Sequence, residues 1–278
     1  MSQTITLLDR LGALLARRLT TPASGYEPYA ASRPELLGIT LRPCDVLLIE
    51  GSPTKVSSAI RYLTQSSWSH ASLYVGLSGG LGEHDGEPLT LVEAELGDGV
   101  IASPLSKYAS YNTRICRPVG LSPEDRAAVI RFAAERIGLA YDLKNIIDLM
   151  RYLLPQPPVP QRWRRRMIAL GSGEPTRAIC TTLIAQAFQS VGYPVLPKVE
   201  RVDDKSRREL MHIRHHSLFT PRDFDVSPFF QIVKPTIESG FDYKQIEWAE
   251  QARPPAAGES KPGMALSPAS NDKREPQP

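Results

Sequence analysis

The clearest place for chemistry in this sequence is Cys180, which stands just ahead of apolar residues at 183, 184, 187, 188 and 191. That spacing predicts an amphipathic helix, stopped by Gly192 and Pro194, with the cysteine in its first turn. Unpaired amides and the helix dipole favour an anion there, which gives a thiol thiolate character and makes it a nucleophile. The same pattern also fits a small buried hydrophobe. What separates the two readings is a base near the sulfur and a polar group that orients the base. Five histidines are available. His70 heads a predicted strand after a serine-rich turn, where it is either a base or a hydrogen-bonded structural histidine. His84 lies in a Gly/Asp turn and is expected to be exposed. Glu209, His212, His215 and His216 have a helical spacing that suits metal ligation, but Arg207, Arg208 and Arg214 among them suit a solvated basic face better, and no metal site is expected.

These residues need elements to carry them. Asp45 to Glu50 is a short apolar run bounded by Pro43 and Gly51, which predicts a buried strand, and 55–65 carries a helical pattern through Val56, Ile60 and Leu63. His70 to Gly76, Leu89 to Glu95 and Thr113 to Val119 read as further strands, with no helix regularly between them; Gly79, Gly80 and 82–88 form a polar turn region. A helix follows: Ser122 caps it, Pro123 takes its first position, Glu124 and Asp125 its first turn, and the pattern runs to Ile137 and Gly138. Leu143, Ile146, Ile147 and Met150 mark another, stopped by Pro155. Residues 151–178 join a proline run to Arg162, Arg164, Arg165 and Arg166 around Trp163, which reads as a long excursion delivering the chain to Cys180. Thr220 and Pro221 start a late helix, and Phe229, Phe230, Ile232 and Val233 suggest a last strand.

Residues 5–19 form an amphipathic helix before a Pro/Ser/Ala loop to about residue 35, and 251–278 has the composition of a disordered tail, which leaves 36–250 for the main domain. The 5–19 helix either docks on that domain or lies on a membrane. With 33 basic and 30 acidic residues, the net charge of +3 gives no global reason to expect nucleic acid as partner. Three widely spaced cysteines, Cys44, Cys116 and Cys180, without any CxxC, suggest neither a disulfide framework nor a zinc site. No apolar run reaches the ~20 residues of a membrane span, and the first residues lack a signal-peptide pattern, so the expected place is the cytoplasm, with membrane association through 5–19 as an addition.

In order along the chain, Trp68-Ser69-His70-Ala71-Ser72-Leu73-Tyr74-Val75-Gly76, Val92-Glu93-Ala94 with Gly99-Val100, Ile137-Gly138-Leu139-Ala140-Tyr141-Asp142 and Cys180-Thr181-Thr182-Leu183-Ile184 resemble the ordered motifs of the permuted papain-like hydrolases, the YaeF/YiiX type within the NlpC superfamily. The resemblance covers roughly residues 40–200. It implies an α+β, circularly permuted papain-like (NlpC-type) fold whose antiparallel sheet packs against the nucleophile helix. In ordinary papain-like enzymes the cysteine helix precedes the histidine strand; here the order is reversed, as it also is in the lecithin:retinol acyltransferase group. Carried over by position, Cys180 matches the nucleophile, His70 the general base and Glu93 the residue that orients it. Glu95 lies on the same strand face and remains a substitute. Tyr141 matches an aromatic near the cleft, with Trp68 and Thr181 as further substrate contacts. The family often has Cys-Ser-Glu-Leu where this chain has Cys180-Thr181-Thr182-Leu183. The implied activity is that of a bacterial thiol hydrolase without cofactor, acting on an amide of a peptide or conjugate through a thioester. The alternatives are a lipid-directed thioesterase or acyltransferase, and a non-catalytic binding module that uses the arginines of 162–166.

Overall fold

A computed structural model describes residues 33–245 apart from 53, 96–97, 140–178, 204–207 and 217–218. The helices expected at 5–19 and 143–150, the excursion 151–178, Tyr141 and the tail 251–278 lie outside the described residues. The chain divides into two units, Met1–Gly240 and Phe241–Pro278. In the second, the described residues include a 3₁₀ turn, Tyr243–Gln245. All that follows concerns the first.

The architecture is α+β with an antiparallel sheet. Helix α1 (Pro34–Thr40) leads into β1 (Val46–Ile49), α2 (Lys55–Thr64), β2 (His70–Tyr74), the short β3 (Glu83–His84), β4 (Glu87–Glu95) and β5 (Gly99–Pro104). A 3₁₀ turn, Leu105–Tyr108, precedes β6 (Thr113–Pro118) and α3 (Pro123–Ala134). Beyond residues 140–178 come α4 (Ile179–Ser190), a separate hairpin of β7 (Lys198–Asp203) and β8 (Arg208–His212), α5 (Pro221–Asp225), β9 (Phe230–Val233) and α6 (Pro235–Glu238). The main sheet runs β3-β4-β2-β1-β6-β9, with β5 also paired to β4, and every pair is antiparallel.

β1 is central and buried throughout, as its unbroken apolar run requires of a strand covered on both faces. Alternation then sorts the sheet. Val46, Leu48, Ala71, Leu73, Val92 and Ala94 face Val129, Ile130 and Ala133 of α3 and Leu183, Ile184, Ala187 and Phe188 of α4. Leu47, Ile49, Leu91 and Ile115 face the other way, onto Leu37 of α1, Leu41 and Tyr108. The first cluster is the larger, and it makes α4 a core helix that packs on β2 and β4. Phe188 anchors it, fully buried and edge-on to Phe230 at 5.2 Å between ring centroids. Phe188→Ala is expected to cost about 3–5 kcal/mol of folding stability, measured by denaturant titration.

Local chemistry sets the ends of these elements. Ser122 accepts from the Asp125 N–H at 3.1 Å to cap α3. Gly192, at φ +71°, takes the left-handed step just past α4. Three differences from the sequence expectation matter. Pro34–Thr40, where the sequence suggested no element, is helix α1, with proline at the first helical position. Gly99–Pro104, noted only as part of a motif, is a full strand on β4. Glu209 and His212 lie on β8, so the helical spacing proposed for Glu209, His212, His215 and His216 does not describe the chain there; the hairpin pairing of β8 with β7 sets a period of two instead.

Candidate active site

His70 is the first residue of β2 and sits opposite Ile49 of β1. A close turn precedes it: Ser69 Oγ accepts from the Gly51 N–H at 3.0 Å, and a Cβ added at Gly51 would come within 2.8 Å of that oxygen. The missing Cβ at Gly51 therefore leaves room for the Ser69 hydroxyl beside its N–H. Ile49 belongs to the cluster on the Tyr108 face of the sheet, so its cross-strand neighbour His70 points the same way. Glu93, two residues beyond Leu91 on β4, shares that face.

The two meet. His70 Nε2 lies 2.6 Å from Glu93 Oε2. Glu93 has no exposed side-chain surface at all, whereas His70 keeps 22 % of its own. A buried carboxylate must be paired and hydrogen-bonded to persist, and three donors converge on this one. Besides His70, the Tyr108 hydroxyl donates to Oε2, and Lys107 Nζ donates to Oε1 at 2.8 Å. Lys107 Nζ also donates to Glu95 Oε1. An ionised carboxylate only accepts, so Nε2 carries a proton, and Nδ1 is the ring nitrogen left for the thiol. That thiol is Cys180, the second residue of α4, buried and acting on His70 both by hydrogen bond and by charge.

The electrostatics follow from this arrangement. Burial alone would depress the His70 imidazolium, but the Cys180 sulfur and the Glu93 carboxylate reverse that and hold it up to about 10. Burial alone would raise Glu93; His70 and Lys107 overcome it and hold the carboxyl well below the usual range. Tyr108 is pushed well above its ordinary value by burial, then by Glu93, Glu95 and Cys180, so its hydroxyl remains a donor. An imidazole with a carboxylate on one side and a sulfur on the other is placed to move a proton to and from that sulfur. The arrangement is chemically competent for nucleophilic attack with proton return.

Of the other residues expected to act, Trp68 is buried, its indole N–H donates to Asp225 Oδ2 at 3.1 Å and Arg114 lies over its ring. Its side chain holds the turn before His70. Thr181 is fully buried and donates its hydroxyl to the Phe219 carbonyl at 2.6 Å, which fixes the start of α4. The motif carrying Gly99-Val100 and Ile137-Gly138-Leu139 closes on itself: Gly138 N–H donates to the Val100 carbonyl and Val100 N–H to the Leu139 carbonyl. His84 is exposed beside Asp85, and the His215 and His216 rings lie 4.0 Å apart.

Lys107 and Tyr108 belong to the site and carry no motif in the sequence. The signal that could have pointed to them is indirect: two carboxylates on one strand face, one of them buried, demand a cation and donors from a neighbouring element. His70, Glu93 and Glu95 also offer three donor atoms within 4.8 Å of one another, a geometry open to a metal ion, but the ammonium of Lys107 bridges the two carboxylates. No helix among the described residues is long and apolar enough to cross a membrane. A scan against protein-family models gives no match for this chain, and a search of curated proteins gives none.

Proposed function

We propose that this chain is a cysteine hydrolase of the permuted papain-like kind, cleaving an amide bond in a peptide or conjugate through a thioester. One observation carries the reading: His70 is held between a buried, fully paired carboxylate and a cysteine in the first turn of a core helix. Its chain order also supports it, with base and orienting carboxylate on strands that precede the nucleophile helix.

In the proposed cycle the Cys180 sulfur attacks the carbonyl carbon, and the oxygen that gains charge is met by the Cys180 backbone N–H. The His70 imidazolium gives its proton to the leaving amine, which departs as the C–N bond breaks and leaves an acyl thioester. His70, now neutral, takes a proton from water as its oxygen adds to the thioester. Release of the acid restores the thiolate and the imidazolium. Glu93 keeps the ring in one orientation throughout and stabilises its charged form.

Iodoacetamide at neutral pH tests the first step without a substrate. Cys180 is expected to be alkylated well before Cys44 and Cys116, as read by peptide mapping of the native protein. Burial pushes the Cys44 thiol up to about 12, and it raises Cys116 as well. Equal labelling of the three would turn the reading toward a binding module. A panel of peptide, isopeptide and lipid ester substrates then separates amide cleavage from lipid release and from acyl transfer to an amine.

A further inference from the structure

Three consecutive residues of the 3₁₀ turn after β5 each donate to a carboxylate of β4. Ser106 donates to Glu87 through its backbone N–H at 3.1 Å and through its hydroxyl, Lys107 donates to Glu93 and Glu95, and Tyr108 donates to Glu93. Ser106 pins the turn to the strand, and Tyr108 is buried beneath it on the α1 face of the sheet. Between them Lys107 reaches the one oxygen of Glu93 that His70 does not touch.

We propose that Lys107 is a positioning residue of this site: its ammonium fixes the Glu93 carboxylate through Oε1, so that Oε2 faces His70, and it balances Glu93 against Glu95. The inference rests on the cysteine-hydrolase reading for its catalytic consequence, while its geometry stands independently. A carboxylate torsion is broad and two-fold, so a donor on one oxygen alone does not hold its plane. With Glu93 closed to water, Lys107 is the donor that holds the other oxygen. A charge is needed as well as a donor, because Glu93 and Glu95 share a strand face and one cation answers both. The ammonium is suited to this: burial would lower it, but the two carboxylates more than reverse that and keep it charged, with 32 % of its side chain still exposed. Among the described residues, the titratable groups beside the Glu93–His70 pair include, besides Lys107, Cys180 from α4, Glu95 from β4 and Tyr108 from the turn.

The experiment uses the full chain and two readouts: the pH dependence of iodoacetamide alkylation at Cys180, and the low-field proton resonance of the His70 Nε2–H against Glu93. Lys107→Met removes a positive charge beside the pair, so the acid limb of the alkylation profile is expected to move up by about one pH unit and the resonance to shift or broaden. Lys107→Arg is expected to restore both. A purely structural lysine would lower the melting temperature and leave both readouts in place; that result, or an arginine variant that behaves like the methionine one, overturns the proposal. Lys107→Gln keeps a donor and removes the charge, and it carries the same expectation and the same refutation should the methionine variant not fold. Failure of the hydrolase reading looks different: wild-type Cys180 would then be no more reactive than Cys44 or Cys116, while the resonance would still report on Lys107.

Discussion

Cys180→Ala is expected to lower turnover by at least about 10⁴-fold on any amide the wild-type protein cleaves, with the fold retained. The size of the loss follows from the absence of a substitute. Cys44 and Cys116 lie in the apolar core, and burial holds both as thiols at neutral pH. The stability change is expected to be small, about 1 kcal/mol, because a methyl group fills much of the space of the sulfur and the other contacts of α4 remain. A second effect goes in a known direction. The sulfur is the leading cause that raises His70, so its removal lowers the imidazolium from about 10 toward its ordinary 6.5. Steady-state kinetics, thermal unfolding and an NMR titration of His70 measure the three effects. Full turnover in the alanine variant would remove the thioester from the mechanism.

Much of the scaffold behind this site was legible because it obeys local rules. β1 is an uninterrupted apolar run and becomes the strand buried on both faces; α3 is framed by Ser122 and Pro123; α4 carries its apolar stripe up to Phe188 and stops before Gly192. Where tertiary context decides, the sequence was silent. Strict alternation put Glu93 and Glu95 on one face and could not choose between them. Depth in the sheet chooses: Glu93 is closed to solvent and touches His70, while Glu95, the last residue of β4, keeps 31 % of its side chain exposed and meets Lys107 instead. The turn 105–108 shows the same limit from the other side. Ser106, Lys107 and Tyr108 form an unremarkable polar stretch until β5 folds back along β4, and the register of that pairing is what brings them over the carboxylates. The helical spacing read at Glu209, His212, His215 and His216 is corrected for a related reason, since a spacing of three and four means a common face only if the segment is helical, and β8 is paired as a strand.

Glu93→Gln is expected to cost about 3–5 kcal/mol of stability and to lower turnover by about 10³–10⁴-fold, because one side chain serves both the fold and the base. Three donors converge on the carboxylate, two at Oε2 and one at Oε1. An amide must turn its NH₂ toward either Lys107 or the His70–Tyr108 pair, so one donor faces another, and the charge that offsets the two half-buried cations His70 and Lys107 is gone. The pH dependence of stability carries the clearest signature. Glu93 is lowered in the folded state, so its contribution is complete above its ordinary 4.5 and is lost as pH falls toward its folded value. His70 is raised, so its contribution is complete below its ordinary 6.5 and is lost as pH rises through about 10. Both are complete only between about pH 4.5 and 6.5, and these two groups therefore place a stability maximum in that window. Glu93→Gln abolishes the acid edge outright and draws the alkaline edge down from about 10, since the hydrogen bond and charge of Glu93 no longer help to hold the imidazolium. Urea midpoints from pH 3 to 10 on the two proteins measure this, and matching profiles would show that the Glu93–His70 pair contributes nothing to the fold.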